Sequence, residues 1–197
     1  HALKGRSLKS KRLQDAESIA LVAGTLDRGS VLIGFERVHR IGRFEVRGGE
    51  VQIPTGYLRL ASVAGRMPSN QGLEALTVLQ AGPLKGSVVG FAERLTRGSG
   101  YHTGWIWIGE QPQRFQLQDI DGFNITGAAG LPDGGLLVLE RFFRWSTGVK
   151  MRSPRLGPAE IKPGARLAGH VVFEADQGYE IDNMEGIAVH RGGRGET

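Results

Sequence analysis

Three glutamates, Glu17, Glu74 and Glu185, recur at the start of short segments of small and apolar residues. A fourth segment has the same pattern with Thr126 in the glutamate position. Carboxylates that lie close together repel one another unless a cation stands between them. Oxygen ligands alone favour a hard ion, so we predict a Ca²⁺ site formed by the three glutamates and Asp121. Thr126 would leave one side of this site open for a ligand.

A cation held by carboxylates can bind a phosphate group or polarise a water molecule, so the three glutamates are also candidate catalytic residues. The alternative is that each glutamate caps its own strand or pairs with an arginine. His39 is the best candidate for acid–base chemistry because it follows the Glu36-Arg37 pair. Asn183, which stands close to Glu185, is a candidate substrate-binding residue.

A Glu-Arg pair ends the second apolar stretch in three of the segments. The pairs are Glu36-Arg37, Glu93-Arg94 and Glu140-Arg141. Successive side chains of a strand point to opposite faces, so one member of each pair can face a binding site. The planar guanidinium group binds phosphate through two hydrogen bonds, which makes Arg37, Arg94 and Arg141 candidate anion contacts. The alternative is a salt bridge that repeats with the fold.

The spacing of these features indicates a repeated unit of about 50 residues. Glu17 and Glu36 are 19 positions apart, as are Glu74 and Glu93. The segment 131–135, Leu-Pro-Asp-Gly-Gly, is typical of a turn between two strands. Helical periodicity is weak throughout. Units built from four short strands predict an all-β fold, a β-propeller, in which the first strand of each blade lines a central channel.

The expected organisation is a basic N-terminal arm or strand, 1–14, followed by a propeller domain, 15–197. Blades are expected to begin near residues 15, 72, 121 and 182. About four blades are visible, and the last is expected to be truncated relative to a full ring. Trp105, Trp107 and Trp145 are expected to pack between blades.

Composition excludes several classes of function. The net charge of +5 arises within the first twelve residues, and the rest of the chain is neutral, which argues against a nucleic-acid partner. The absence of cysteine excludes disulfides, thiolate metal sites and a cysteine nucleophile. No apolar run approaches the ~18 residues of a membrane span.

The motifs together resemble a known family, the phytase-like β-propellers described as having "esterase-like activity of phytase". The resemblance extends from about Asp15 to Gly195. It rests on the segments 72–76, Gly-Leu-Glu-Ala-Leu, and 182–189, Asp-Asn-Met-Glu-Gly-Ile-Ala-Val, and on the run from Leu131 to Arg141. Members of the family are typically bacterial, exported and longer than this chain.

The resemblance implies a periplasmic or secreted hydrolase that acts on a small phosphate ester, as a phytase does, or on a related ester. Two alternatives stay open at this point. One is a non-catalytic propeller that binds a ligand or a protein partner. The other is a sugar-lactone hydrolase, which also uses carboxylate and amide metal ligands in a propeller channel.

Overall fold

The computed structural model describes residues 14–60, 72–92, 100–190 and 192, together with the backbone of residues 2–3 and 6–7. The described chain is all-β, as expected, and contains no helix. Its strands are β1 (Ala2–Leu3), β2 (Arg6–Ser7), β3 (Ala16–Gly24), β4 (Arg28–Phe35), β5 (Arg40–Arg47), β6 (Glu50–Leu58), β7 (Leu73–Val78), β8 (Val88–Ala92), β9 (Tyr101–Ile108), β10 (Gln111–Gln118), β11 (Asn124–Gly130), β12 (Leu136–Arg144), β13 (Gly148–Leu156), β14 (Arg166–Leu167) and β15 (His170–Ala175).

Three sheets follow one another along the chain, beside the small β1–β2 pair. The first sheet has the order β3-β4-β5-β6, and the third has the order β11-β12-β13-β15. The second has the order β7-β8-β9-β10-β14, with β14 pairing parallel to β10 and all other pairs antiparallel. The first strand of each sheet therefore forms one edge of that sheet. These edge strands lie side by side, because β7 packs against both β3 and β11.

Two apolar clusters fill the space between neighbouring sheets. One joins the first two sheets and contains Leu32, Leu73, Trp105 and Trp107. The other joins the second and third sheets and is built around Phe91, which meets Phe115 edge to face. Burying a large apolar side chain contributes about 1.5–3 kcal/mol, so these clusters hold the sheets together.

The tryptophans divide into two groups. Trp105 and Trp107 are 2% exposed, and the indole N–H of Trp107 donates to the carbonyl of Arg59 at 2.8 Å. The expectation that Trp145 packs between blades is wrong, because its side chain is 95% exposed. Trp145 lies in the turn between β12 and β13, where its ring meets that of Phe143 edge to face.

Small residues allow the edge strands to approach closely. A Cβ atom added at Gly130 would lie 2.2 Å from the carbonyl oxygen of Val78. The Gly130 N–H donates to Thr77 Oγ1 at 2.8 Å, and Ser18 Oγ donates to the Leu73 carbonyl at 2.6 Å. Each bond joins strands of different sheets, so the edge strands are held together by specific polar contacts as well as by packing.

The segment 181–190 runs beside β11 without joining a sheet. Thr126 Oγ1 donates to the Met184 carbonyl at 2.9 Å. A Cβ atom at Gly127 would touch Ile187 at 3.3 Å. This segment carries the fourth copy of the sequence pattern, and it therefore lies next to the edge strand that carries the third copy. Among the described residues, no helix has the length and apolar character needed to cross a membrane.

Candidate functional site

An open cavity of about 390 Å³ lies where the edge strands meet. Its lining includes Glu17, Glu74, Thr126 and Glu185, the four equivalent positions of the sequence pattern. The remaining wall is formed by small and apolar residues of the same strands, of β4 and of segment 181–190: Ala16, Ser18, Ile19, Ile33, Ala75, Leu76, Gly127, Ala128, Gly186 and Ile187. Glu17, Glu74 and Glu185, which were predicted to bind a cation, thus line one cavity. Their role as ligands stays a prediction.

A β-bulge occurs at the same position in all three sheets. In β3 the pairing with β4 passes from Ala16 to Ser18 and skips Glu17. In β7 it skips Glu74, and in β11 it skips Thr126. A bulged residue has no partner opposite it in the ladder, and bulges beside active sites re-aim side chains. The bulges give these three residues a common local geometry at the cavity.

Glu17 also belongs to a cluster of three carboxylates. Asp15, Glu17 and Glu36 each provide an oxygen, and these oxygens lie within 4.8 Å of one another. The Glu36 N–H donates to the Asp15 carbonyl at 2.9 Å, which closes the open end of the β3–β4 hairpin. Asp15 and Glu36 were not among the candidate ligands predicted from the sequence. The 19-residue spacing could have indicated Glu36 as a neighbour of Glu17, because it places the two residues at the same end of one hairpin.

Three carboxylates this close together repel one another when all of them are ionised. The pKa of Glu17 is raised, first by burial and then by the charges of Glu36, Asp15 and Glu185. A hydrogen bond with Asp15 raises the pKa further. The influence of Glu185 shows that segment 181–190 contributes to the same negative potential as β3. A cation bound here would relieve this repulsion.

Two of the predicted anion contacts pair with carboxylates at this site. Arg141 Nη1 donates to Glu185 Oε1 at 3.3 Å, and Asn183 Nδ2 donates to the same oxygen at 2.5 Å. Arg37 Nε donates to Asp15 Oδ2. The arginines of these two Glu-Arg pairs therefore meet carboxylates at the starts of repeat segments. Arg94 and Glu93 lie outside the described residues.

Asp121 and His39 stand apart from the cavity lining. Asp121 lies in a tight turn with φ of 63° and lines a different surface cavity, together with Phe123 and Lys150. Asp121 stands five positions before Thr126, whereas Asp15 stands only two before Glu17. This longer spacing places Asp121 outside the shared cavity. His39 is half-buried in the turn 36–39 that follows β4. Neither residue is among those that line the shared cavity.

The third Glu-Arg pair directs its glutamate into the protein. Glu140 is 1% exposed and accepts a hydrogen bond from Arg152 Nε at 2.5 Å. Burial raises the pKa of Glu140, and the neighbouring Arg152 acts in the opposite direction. Arg152 also donates to the Ile120 carbonyl at 2.7 Å and stacks over Phe123, and His102 lies 3.9 Å from Glu140. Glu140 and Arg152 therefore form a buried ion pair within the third sheet, on the side that faces His102 of the second sheet.

Comparisons with known proteins give one family. The model of the phytase-like family, described as "Esterase-like activity of phytase", matches residues 1–197. No curated protein matches the chain significantly. No solved structure matches it significantly either. Because the family match covers the whole sequence, the chain belongs to the phytase-like family.

Proposed function

We propose that this chain is part of an exported β-propeller hydrolase that acts on phosphate esters with the help of a divalent cation, Ca²⁺ being the best fit. Family membership supports a hydrolase-like fold. The observation that carries the proposal is the approach of Asp15, Glu17 and Glu36 to within 4.8 Å beside a cavity that Glu74 and Glu185 also line.

The donor atoms at this site fit a hard cation. The three clustered side chains offer only carboxylate oxygens, the ligands that Ca²⁺ prefers and binds in flexible geometries. The pKa of Glu17 is raised first by burial and then by the neighbouring carboxylates, and a bound cation would offset the repulsion from those carboxylates. Arg37 neutralises part of the charge of Asp15, so Glu17 is the stronger ligand of these two in this proposal.

The groups around the cavity have different proposed roles in the reaction. A bound divalent cation would supply Lewis acidity and lower the pKa of a coordinated water. Glu74 lines the same cavity and is the proposed base that takes a proton from the attacking water. Arg141 lies beside Glu185 and is the proposed contact for the phosphate oxygens. The hydroxyl of Ser18 donates to a backbone carbonyl, so we assign it no nucleophilic role.

The propeller architecture is supported by how the three sheets repeat. Each sheet presents its first strand to a shared central space, and each first strand has a bulge at the same position. Segment 181–190 continues this arrangement beside β11. A periplasmic or secreted location is part of the proposal and follows from the resemblance to exported proteins of this family.

Phosphatase activity with and without calcium tests the proposal. We expect release of phosphate from phytate or p-nitrophenyl phosphate in Ca²⁺, and loss of that release in a chelator. Glu17→Gln should abolish this calcium-dependent release, whereas Glu50→Gln, the same change on β6, should retain it. We also expect Ca²⁺ to raise the melting temperature, because a ligand that binds only the folded state stabilises it.

The alternatives give different results. Calcium-dependent stabilisation without turnover of phosphate, carboxylic or lactone substrates would favour a ligand-binding propeller. Turnover of a lactone alone would favour the sugar-lactone hydrolase. Absence of any effect of Ca²⁺ on both stability and turnover would contradict the cation site.

A further inference from the structure

A second cavity, of about 570 Å³, lies at the opposite end of the edge strands. It is enclosed by the turn 79–86, the turn 131–135 and the loop 157–163. The first two of these follow the ends of β7 and β11, whereas Glu74 and Thr126 lie near the starts of those strands. This cavity is therefore separate from the carboxylate site, and a ligand bound here would be independent of the proposed function.

The lining of this cavity is mostly apolar and comes from two different sheets and the loop that joins β13 to β14. Leu79 and Ile161 are buried members of the cluster between the second and third sheets, and Leu84 packs against that cluster. The cavity floor is thus continuous with the protein core. Ligand sites typically enclose about 300–1,000 Å³ and combine apolar walls with a few polar groups.

The walls are stiff. Pro83, Pro158 and Pro163 line the cavity, and proline fixes the backbone angle φ. The turns 79–86 and 131–135 also touch, since a Cβ atom added at Gly134 would lie 2.7 Å from the carbonyl of Ala81. Because the backbone of such walls is already restricted, little conformational entropy is lost when a ligand binds.

Charge determines what kind of ligand this cavity fits. Asp133 lines the cavity, but its carboxylate accepts hydrogen bonds from the Gly135 N–H and from Arg155. Glu160, in the loop 157–163 that also carries Lys162, accepts a hydrogen bond from the Gly157 N–H at 2.6 Å. Lys162 lines the cavity and forms no ion pair with any residue in the described part of the chain. The cavity therefore presents an apolar interior with the exposed side chain of Lys162 in its lining, while the Asp133 carboxylate is paired with Arg155.

We propose that this cavity binds a small organic anion with an apolar body, with the body between the proline-lined walls and the anionic group at Lys162. The apolar walls would take up the hydrophobic part of such a ligand. The ammonium group of Lys162 would form a charge-assisted hydrogen bond with the anion.

Two fluorescent probes with the same apolar body separate these contributions. They are 1-anilinonaphthalene-8-sulfonate, which is an anion, and N-phenyl-1-naphthylamine, which is neutral. We expect saturable binding of the anionic probe at one site per chain. Lys162→Glu should weaken binding of the anionic probe about tenfold and change binding of the neutral probe by less than about twofold. Lys85→Glu, in the neighbouring turn but outside the lining, is the matched charge control.

A steric variant locates the site. Ala159→Trp places a large side chain in the cavity from an exposed loop position and should weaken both probes at least about tenfold, whereas Ala159→Ser should not. Unchanged binding of both probes to Ala159→Trp would place their site elsewhere and overturn the proposal. An equal effect of Lys162→Glu on the two probes, or no effect on either, would overturn the recognition of an anion. Thermal unfolding of each variant shows whether it is folded.

Discussion

Arg141 and Glu185 form an ion pair at the cavity, with Nη1 of the arginine 3.3 Å from Oε1 of the glutamate. The two residues are 44 positions apart and belong to different segments of the repeat pattern. Asn183 donates to the same Oε1 atom. The glutamate therefore has one oxygen engaged by two donors and is held in place, while the arginine is held at the edge of the cavity.

Replacement of Arg141 by methionine should change substrate and cation binding in opposite directions. The loss of a charge-assisted contact, about 1.5–3 kcal/mol, should raise KM for a phosphate ester at least about tenfold. The removal of a positive charge beside Glu185 should lower the Kd for Ca²⁺. Phosphate-release kinetics and calorimetric calcium titration measure the two effects. Arg144→Met, in the same strand, is the control, and a parallel weakening of both ligands would contradict the assignment.

Replacement of Glu17 by glutamine should stabilise the cation-free protein in a pH-dependent way. The pKa of Glu17 is raised in the folded state above its ordinary value of 4.5. The folded chain therefore holds this proton more tightly than the unfolded chain, and ionisation of Glu17 costs stability as pH rises through the raised pKa. The cost is absent below the unfolded pKa. The variant should melt higher than the parent protein at about pH 8, and the two should converge near pH 4 and below.

Thermal unfolding in a chelator across this pH range measures the difference. Glu50→Gln serves as the control, since Glu50 is an exposed residue of β6 outside the acidic cluster. A constant difference in melting temperature between Glu17→Gln and the parent protein at all pH values would argue against a raised pKa of Glu17 in the folded protein.

Replacement of Glu140 by leucine should cost about 3–5 kcal/mol, because it leaves the buried Arg152 without its carboxylate. Urea denaturation measures the loss. The double variant Glu140→Leu, Arg152→Met should lose less than the sum of the two single variants. Arg155→Met, which breaks the exposed pair with Asp133, should cost less than about 1 kcal/mol. Similar losses for the exposed and buried pairs would contradict this account.

Replacement of Gly130 by alanine should destabilise the contact between β7 and β11. The added methyl group would lie 2.2 Å from the Val78 carbonyl, so the two strands would have to move apart. We expect a loss of about 1–3 kcal/mol, typical of overpacking. At Gly56 on β6 the same change meets no atom within 4 Å, and Gly56→Ala is the control. Equal stability of the two variants in urea would show that the strands are not tightly packed here.

The sequence was most informative about features that repeat. The recurrence of Glu17, Glu74 and Glu185 at strand starts predicted that they approach one another, and the cavity contains all three. Alternation and turn residues indicated an all-β chain, which the structure confirms. Repetition is visible without coordinates, because equivalent positions in repeated units occupy equivalent places in neighbouring structural units.

Features that depend on contacts across the repeats were not visible in the sequence. Glu140 has the same motif as Glu36, but only the packing of β12 against β13 shows that it is buried with Arg152. Asp121 matched the expected residue type, yet three extra positions and a left-handed turn carry it to another surface. The exposure of Trp145 likewise depends on how far the β12–β13 hairpin extends beyond its neighbours.

The bulges at Glu17, Glu74 and Thr126 have a consequence for how such a protein can diversify. A residue that faces no partner in the ladder can be exchanged without breaking the pairing of its strand. The appearance of threonine where other copies carry glutamate illustrates this freedom. Each strand can thus supply its own functional group to the shared cavity, and new chemistry can arise one strand at a time while the sheets stay intact.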